Sequence, residues 1–431
     1  MTLAEKDLEY VWHPYTHLKN QPLPIPIVRG AGALLFDDQG TEYIDGISSW
    51  WVNTHGHAHP YIASKLYEQA STLEHVIFAG FTHEPAVLLA EQLVELIPGI
   101  SKIFYSDNGS TATEVAIKMA LQYWMNKGIQ KTKVIALKNA YHGDTFGAMS
   151  ISNRGLFNRA FEDKLFDVIF IDPPTENNLE EIISVIHGAD DIACFIYEPL
   201  LQGAGGMIMY EAACLKILLE VMQEKGIICI ADEVLTGFYR TGTFFASEQM
   251  NIRPDIICLS KALTGGTMAL GVTGCSPKIY EAFISDDKMK TFYHGHSFTA
   301  NPLACTAALA SLHLLRQEEC INNISLICKN QHQFIQSLLP LQKEYNIKNL
   351  RVCGTICAFE IITSSSDSYL NDLSNQFTKF CLKQGVYLRP LGNTIYIMPP
   401  YCMTEEQLEK IYKVVIEFLV HSQRNTFIAT A

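Results

Sequence analysis

No stretch of this 431-residue chain approaches 18 consecutive apolar residues, so a plain membrane-spanning helix is excluded. Nor is a secretory leader expected. MTLAEKDLEYVWHP sets acids where a leader needs a basic start and an apolar run, so the chain reads as cytoplasmic. Positive charge is scarce: 32 Lys and Arg stand against 45 Asp and Glu, for a net charge of −13. Nucleic-acid binding needs clustered cations to neutralise phosphates, so no such partner is expected. The 12 cysteines include no CxxC pair, and the closest, Cys353 and Cys357, fall in the strand-like RVCGTICAFEII. They read as small buried hydrophobes, not as disulfide partners or zinc ligands. Tryptophan is the rarest aromatic, with four copies, and two of them are adjacent: Trp50 and Trp51 in GISSWWVNTHGHAHP, residues 46–60.

What is present is an ordinary globular composition, 48% hydrophobic and 18% charged, long enough for two or three domains with a self-sufficient core. After a proline-rich lead-in, ALLFDDQGTEYIDGI reads as a hairpin around a DDQG turn. Between residues 60 and 310 short apolar runs (KIFYSD, KVIALKN, DVIFID, ACFIYEP, IICIADEV, DIICLSK) alternate with longer helical stretches. That alternation predicts an α/β domain with a largely parallel sheet covered by helices on both faces. The last third predicts a long helical region, the strand CAFEII, a hairpin turned by Gly392-Asn393 and a closing helix. The expected division is an N-terminal segment 1–59 of a small domain, a large domain 60–310 and the rest of the small domain 311–431.

In open α/β sheets ligands gather beyond the carboxyl ends of the strands. Lys261 ends one run beside Gly265 and Gly266, where desolvation would make it a usable amine nucleophile. Taken alone, a lysine there more often snorkels to solvent. Asp232, 29 residues upstream, ends another run, and its commoner fate is a helix cap. In DNGSTATEVAIKMALQYW, Gly109 permits close backbone approach and Ser110 and Thr111 suit a helix start, with Glu114 completing a capping box to Thr111. Such a helix N-terminus is an anion cup. Tyr141, in NAYHGDTFGAM, adds a flat aromatic at a third strand end. An amine, a carboxylate, a phosphate cup and an aromatic face are together what pyridoxal 5'-phosphate requires.

IADEVLTGFYRTG (residues 230–242) followed by PDIICLSKALTGG resembles the class III (ω-) aminotransferases, pyridoxal-phosphate enzymes of fold type I. Adding WHPYT, DGISSWW, YHGDTFGAMS, EPLLQGAGGM and YLRP narrows the resemblance to the branch that aminates 8-amino-7-oxononanoate in biotin synthesis, with S-adenosylmethionine as donor. It runs from about Trp12 to Pro400. The resemblance implies a large domain with a mostly parallel seven-stranded sheet, a smaller α+β domain formed from both termini, and a homodimer with shared active sites. It implies that Lys261 binds the cofactor covalently, that Asp232 partners the pyridinium, that Gly109 and Ser110 hold the phosphate and that Tyr141 stacks on the ring. In HGHSFTANP it implies that Ser297, beside His296, reaches the partner subunit's cofactor while Gly295 lines the substrate pocket; His296-Ser297 stands where Pro-Thr is expected. Tyr15, Trp50 and Asp144 match pocket-lining positions, and Arg389 matches the arginine for the oxononanoate carboxylate, a role suited to bidentate guanidinium recognition. Family members using glutamate carry an acid after QG; Ala204 stands there, which argues against a dicarboxylate donor, while aromatic faces favour a sulfonium.

His55, His57 and His59 alternate as strand-borne metal ligands would, but Gly56 and Pro60 interrupt a strand, so no metal is expected. If the segment is extended, Trp50 and Trp51 point to opposite sides, with Trp50 toward substrate and Trp51 packed. Three rivals stay open: another class III enzyme acting on a diamine or ω-amino acid, or using lysine as donor; a decarboxylase or aminomutase on the same fold; and a non-catalytic binding protein.

Overall fold

The computed structural model describes residues 1–19, 21–362 and 373–428. Its largest sheet has seven strands in the spatial order Lys102–Ser106, Gly271–Cys275, Ile256–Leu259, Ile228–Asp232, Ile192–Tyr197, Lys133–Leu137, Ile169–Ile171. Only Gly271–Cys275 runs against its neighbours; the other pairings are parallel. Strand side chains alternate between two cores, as the two-residue period of a strand dictates. Ile135, Phe195, Cys229 and Ile257 enter one core with the helix Ala212–Glu224. Val134, Cys194, Ile228 and Ile256 enter the other with the helix Gly109–Asn126. Burial on both faces explains why these strands read as continuous apolar runs. Gly271–Cys275 (GVTGC) is too glycine-rich to show that signal, and it escaped the list of apolar runs.

Both ends of the chain share a second sheet. Leu34–Asp37 and Glu42–Asp45 form the expected hairpin, its turn tied by Asp37 Oδ1, which accepts from the Gln39 and Thr41 amides. Val386–Tyr387, from the last fifth of the chain, pairs in parallel with Glu42–Asp45. A third sheet joins Ile347–Cys353, Ile356–Ile361 and Thr394–Ile397.

Two expectations need correction. Gly392-Asn393 does turn tightly, with Leu391 and Thr394 bridged, but its flanking strands enter different sheets and make no hairpin. RVCGTICAFEII is a hairpin bent at Gly354-Thr355, not one strand. The helix Pro302–Leu315 spans residue 310, where the large domain is expected to give way to the rest of the small one. No disulfide forms, and no helix is long and apolar enough to cross a membrane, among the described residues.

Candidate active site

A cavity of about 410 Å³ opens at the carboxyl ends of the large sheet's strands. Lys261, Asp232, Tyr141, Gly109 and Ser110 all line it, as does Glu198. Lys261 follows the strand Ile256–Leu259 with φ of 44°, in the left-handed region. Burial lowers its pKa, with Arg240 adding to the effect, while Asp232 and Glu198 pull the other way. Asp232 ends the adjacent strand, and His142 Nδ1 lies 2.6 Å from its Oδ2. Its other oxygen accepts from the Val234 amide at 3.1 Å.

The helix that begins at Gly109 is capped differently from the expected box. Asn108 is the N-cap: its side chain accepts from the Thr111 amide, and the Thr111 hydroxyl accepts from the Asn108 amide. Glu114 instead gathers the Thr145 hydroxyl and the Gly147 and Ala148 amides, capping the short helix Phe146–Ile151. Gly109 and Ser110, whose amides precede the first intrahelical hydrogen bond, line the cavity. Space there is tight: a Cβ on Gly143 would collide with Ser110 Oγ, and one on Gly271 with the Asn108 carbonyl.

A second cluster adjoins Tyr141. The Tyr15 hydroxyl donates to Asp144 Oδ2 and lies 3.2 Å from the Tyr141 hydroxyl. Tyr15 meets Trp50 edge-on at 5.5 Å, and the Arg389 guanidinium sits 5.0 Å above the Trp50 ring. Asp144 and Ala204 line a side cavity of about 170 Å³ that shares Tyr141 with the main one. Gly295, His296 and Ser297 stand apart. Gly295 and Ser297 are exposed and line neither cavity, and His296 Nδ1 is 3.4 Å from Asp107.

The tryptophan pair lies in no extended segment. Ser48, Ser49, Trp50 and Trp51 have φ of 51°, 44°, 69° and 76°: a single left-handed turn. Such backbone costs about 1–2 kcal/mol per non-glycine residue, so tertiary contacts must hold it. Ser48 Oγ donates to the Met398 carbonyl, Ser49 Oγ to Asp45, and Trp51 Nε1 to the Tyr396 hydroxyl. Arg240 adds a strut that motif reading left without a role. Fully buried, its Nη2 donates to the carbonyls of Trp51 and Asn53 and its Nη1 to that of Pro399. The turn sends the indoles apart even so: Trp50 is 39% exposed and Trp51 4%.

The histidines are struts. His57 lies 3.0 Å from the buried Asp45, His55 bonds with Ser311, and His59 precedes the helix Pro60–Ala70. Burial pushes His55 down to about 3, so it stays neutral. No cluster of metal-holding side chains occurs among the described residues.

Glu198 is the residue whose part was missed. It accepts from the amides of Tyr141 and Gly203, and burial pushes its carboxyl up to about 7. Its position after ACFIY was legible; its role as a clamp between two loops depends on long-range partners.

The family profile described as aminotransferase class-III matches residues 15–419. The chain belongs to the class III aminotransferases. The Synechococcus elongatus protein named adenosylmethionine-8-amino-7-oxononanoate aminotransferase is 45% identical, over 95% of this chain and 98% of its own. The Helicobacter pylori protein of that name is 38% identical, with 97% of each chain covered. The solved structure of the Methanocaldococcus jannaschii enzyme of that name superposes with a TM-score of 0.91 at 35% identity, over 96% of this chain and 98% of that one. An ω-transaminase from Pseudomonas jessenii, in complex with PMP, gives 0.91 at 26% identity, over 98% and 99%. Class III aminotransferases use pyridoxal phosphate, and this cavity fits it. Lys261 Nζ makes no hydrogen bond among the described residues and His142 Nε2 is buried without a partner, while an anion cup walled by glycines faces them.

Proposed function

We propose that this enzyme transfers the amino group of S-adenosylmethionine to 8-amino-7-oxononanoate, giving 7,8-diaminononanoate for biotin synthesis, and that it acts as a cytoplasmic homodimer. The observation that carries the chemistry is the convergence of Lys261, Asp232, Tyr141 and the Gly109–Ser110 helix start on one cavity. The relatives' shared name, Ala204 in place of an acid, and the Tyr15–Trp50–Arg389 wall support the substrates.

Lys261 would hold pyridoxal phosphate covalently, Asp232 would face its ring nitrogen, Tyr141 would cover the ring, and the Ser110 hydroxyl with the first-turn amides would hold its phosphate. When bound, the cofactor supplies an aldehyde that takes up an amino group and a ring that accepts electrons. Lys261 Nζ, its charge disfavoured by burial, accepts the proton from the donor's carbon and later returns it. Asp232 Oδ2, held by His142, keeps a proton on the ring nitrogen. Arg389 binds the acceptor's carboxylate, and the Trp50 and Tyr15 faces border the sulfonium of the donor. Gly295 and Ser297, exposed and away from their own cavity, support completion of the site by a second copy.

The test mixes holoenzyme with S-adenosylmethionine. It should lose the aldehyde-form absorbance of the cofactor and then release 7,8-diaminononanoate when the oxononanoate is added. Bleaching by lysine or an ω-amino acid but not by S-adenosylmethionine would replace the donor, and release of carbon dioxide would replace the reaction class.

A further inference from the structure

We propose that the indole face of Trp51 is the seat of the Lys261 ammonium whenever that amine is not attached to the cofactor, and that this contact governs how readily Lys261 gives up its proton. The inference rests on the reading of Lys261 given above and deepens it: Trp51 becomes a positioning residue for the amine.

Lys261 Nζ lies 5.0 Å from the centre of the Trp51 ring. No hydrogen bond among the described residues reaches Nζ; the charged groups that act on it, Asp232, Glu198 and Arg240, do so at a distance. The ring is therefore its immediate partner. Lys261 is partly buried, so its ammonium competes less with water than one at an open surface, and the cation–π attraction to tryptophan is correspondingly stronger.

Trp51 is built to stay in place. It is 4% exposed, its Nε1–H is used by the Tyr396 hydroxyl at 2.9 Å, and its carbonyl accepts from Arg240 at 3.2 Å. Its Cζ3 edge lies where a Cβ on Gly203 would be in contact, at 3.4 Å. With Nε1–H engaged by Tyr396, the π-face is what remains for the lysine. The left-handed turn gives each tryptophan one cation: Arg389 over Trp50, Lys261 over Trp51, both at 5.0 Å.

Burial and the Arg240 charge drive the Lys261 amine toward neutrality, while Asp232 and Glu198 oppose them; on this proposal the Trp51 π-face joins the opposing side. Removing the π-face takes away one of the stabilisers of the charged form, so the midpoint must fall.

The experiment uses holoenzyme reconstituted with pyridoxamine phosphate, in which Lys261 is unattached. An amine-acylating reagent is applied across pH, and the Lys261 peptide is quantified by mass spectrometry. Trp51→Leu should lower the midpoint by about one unit, seen as roughly tenfold more label at a pH below it. Trp51→Phe, with a weaker π-face, should shift it less and in the same direction. Because Trp51→Leu also leaves space, water entering there would raise the midpoint. Substituting the chain's tryptophans with mono-, di- and trifluorotryptophan keeps their shape and should lower the midpoint stepwise. Fluorination admits no water and so decides: a midpoint that does not fall as fluorine is added overturns the proposal. The underlying reading fails by a different result: Lys261→Ala that still shows the covalently bound cofactor's absorption band.

Discussion

On the proposed reading Lys261 carries the chemistry, and Glu198 makes part of the fold's stability depend on pH. Lys261→Ala should purify folded, without the absorption band of covalently bound cofactor, and complete no turnover; an active Lys261→Ala would sink the mechanism. Glu198 is a carboxyl whose folded pKa, about 7, lies above its ordinary 4.5. The folded chain therefore binds this proton more tightly than the unfolded chain. The stabilisation is fully present below pH 4.5 and is lost as pH rises through 7. In cofactor-free chain, the stability difference between wild type and Glu198→Gln should shift against wild type by up to about 3 kcal/mol between pH 4.5 and 7.5, measured by urea unfolding. A difference that stays flat across that range means Glu198 is not held protonated. Lys261 and Asp232 were legible because each closes an apolar run; Glu198 closed one too, but its partners, the Tyr141 and Gly203 amides, are visible only once distant loops meet.

The elements that matter most are a helix start, an antiparallel strand and a left-handed turn, and they differ in how far sequence betrays them. The helix start showed itself through the small polar run after KIFYSD, although the cap proved to be Asn108 and Glu114 served another helix. Crowding at that start makes a prediction. Gly143→Ala would press a methyl onto Ser110 Oγ at a φ of 133°, so cofactor affinity should fall at least tenfold in equilibrium dialysis while the secondary-structure signal persists. The strand Gly271–Cys275 was invisible as an apolar run for a related reason, since Gly271 must clear the Asn108 carbonyl. The turn Ser48–Trp51 could not be read locally at all. Its backbone is disfavoured, and Asp45, Met398, Tyr396 and Arg240 hold it from elsewhere. Ser48→Ala, which strands the Met398 carbonyl, should cost about 1–3 kcal/mol in urea unfolding. Wild-type stability in that variant would mean the turn needs no such anchor.

At the scale of the whole molecule the alternation of apolar runs and helical stretches foretold the parallel sheet, because strands buried on both faces leave so plain a pattern. The homodimer had no comparable signal beyond family resemblance. It makes a sharp expectation through Ser297. If that hydroxyl serves the neighbouring site, Lys261→Ala and Ser297→Ala chains, each impaired alone, should regain activity when refolded together, because the mixed dimer contains one complete site. Absence of recovery despite mixed dimers in native mass spectrometry would return Ser297 to its own subunit. The pairing of Val386–Tyr387 with Glu42–Asp45 carries a consequence in time. A chain emerging from the ribosome has every residue of the cofactor cavity in hand by Leu270, but the strand beside Arg389 comes far later. The early hairpin must wait, with one edge open, for nearly the whole protein to be made, so the wall proposed to choose the substrate is assembled last.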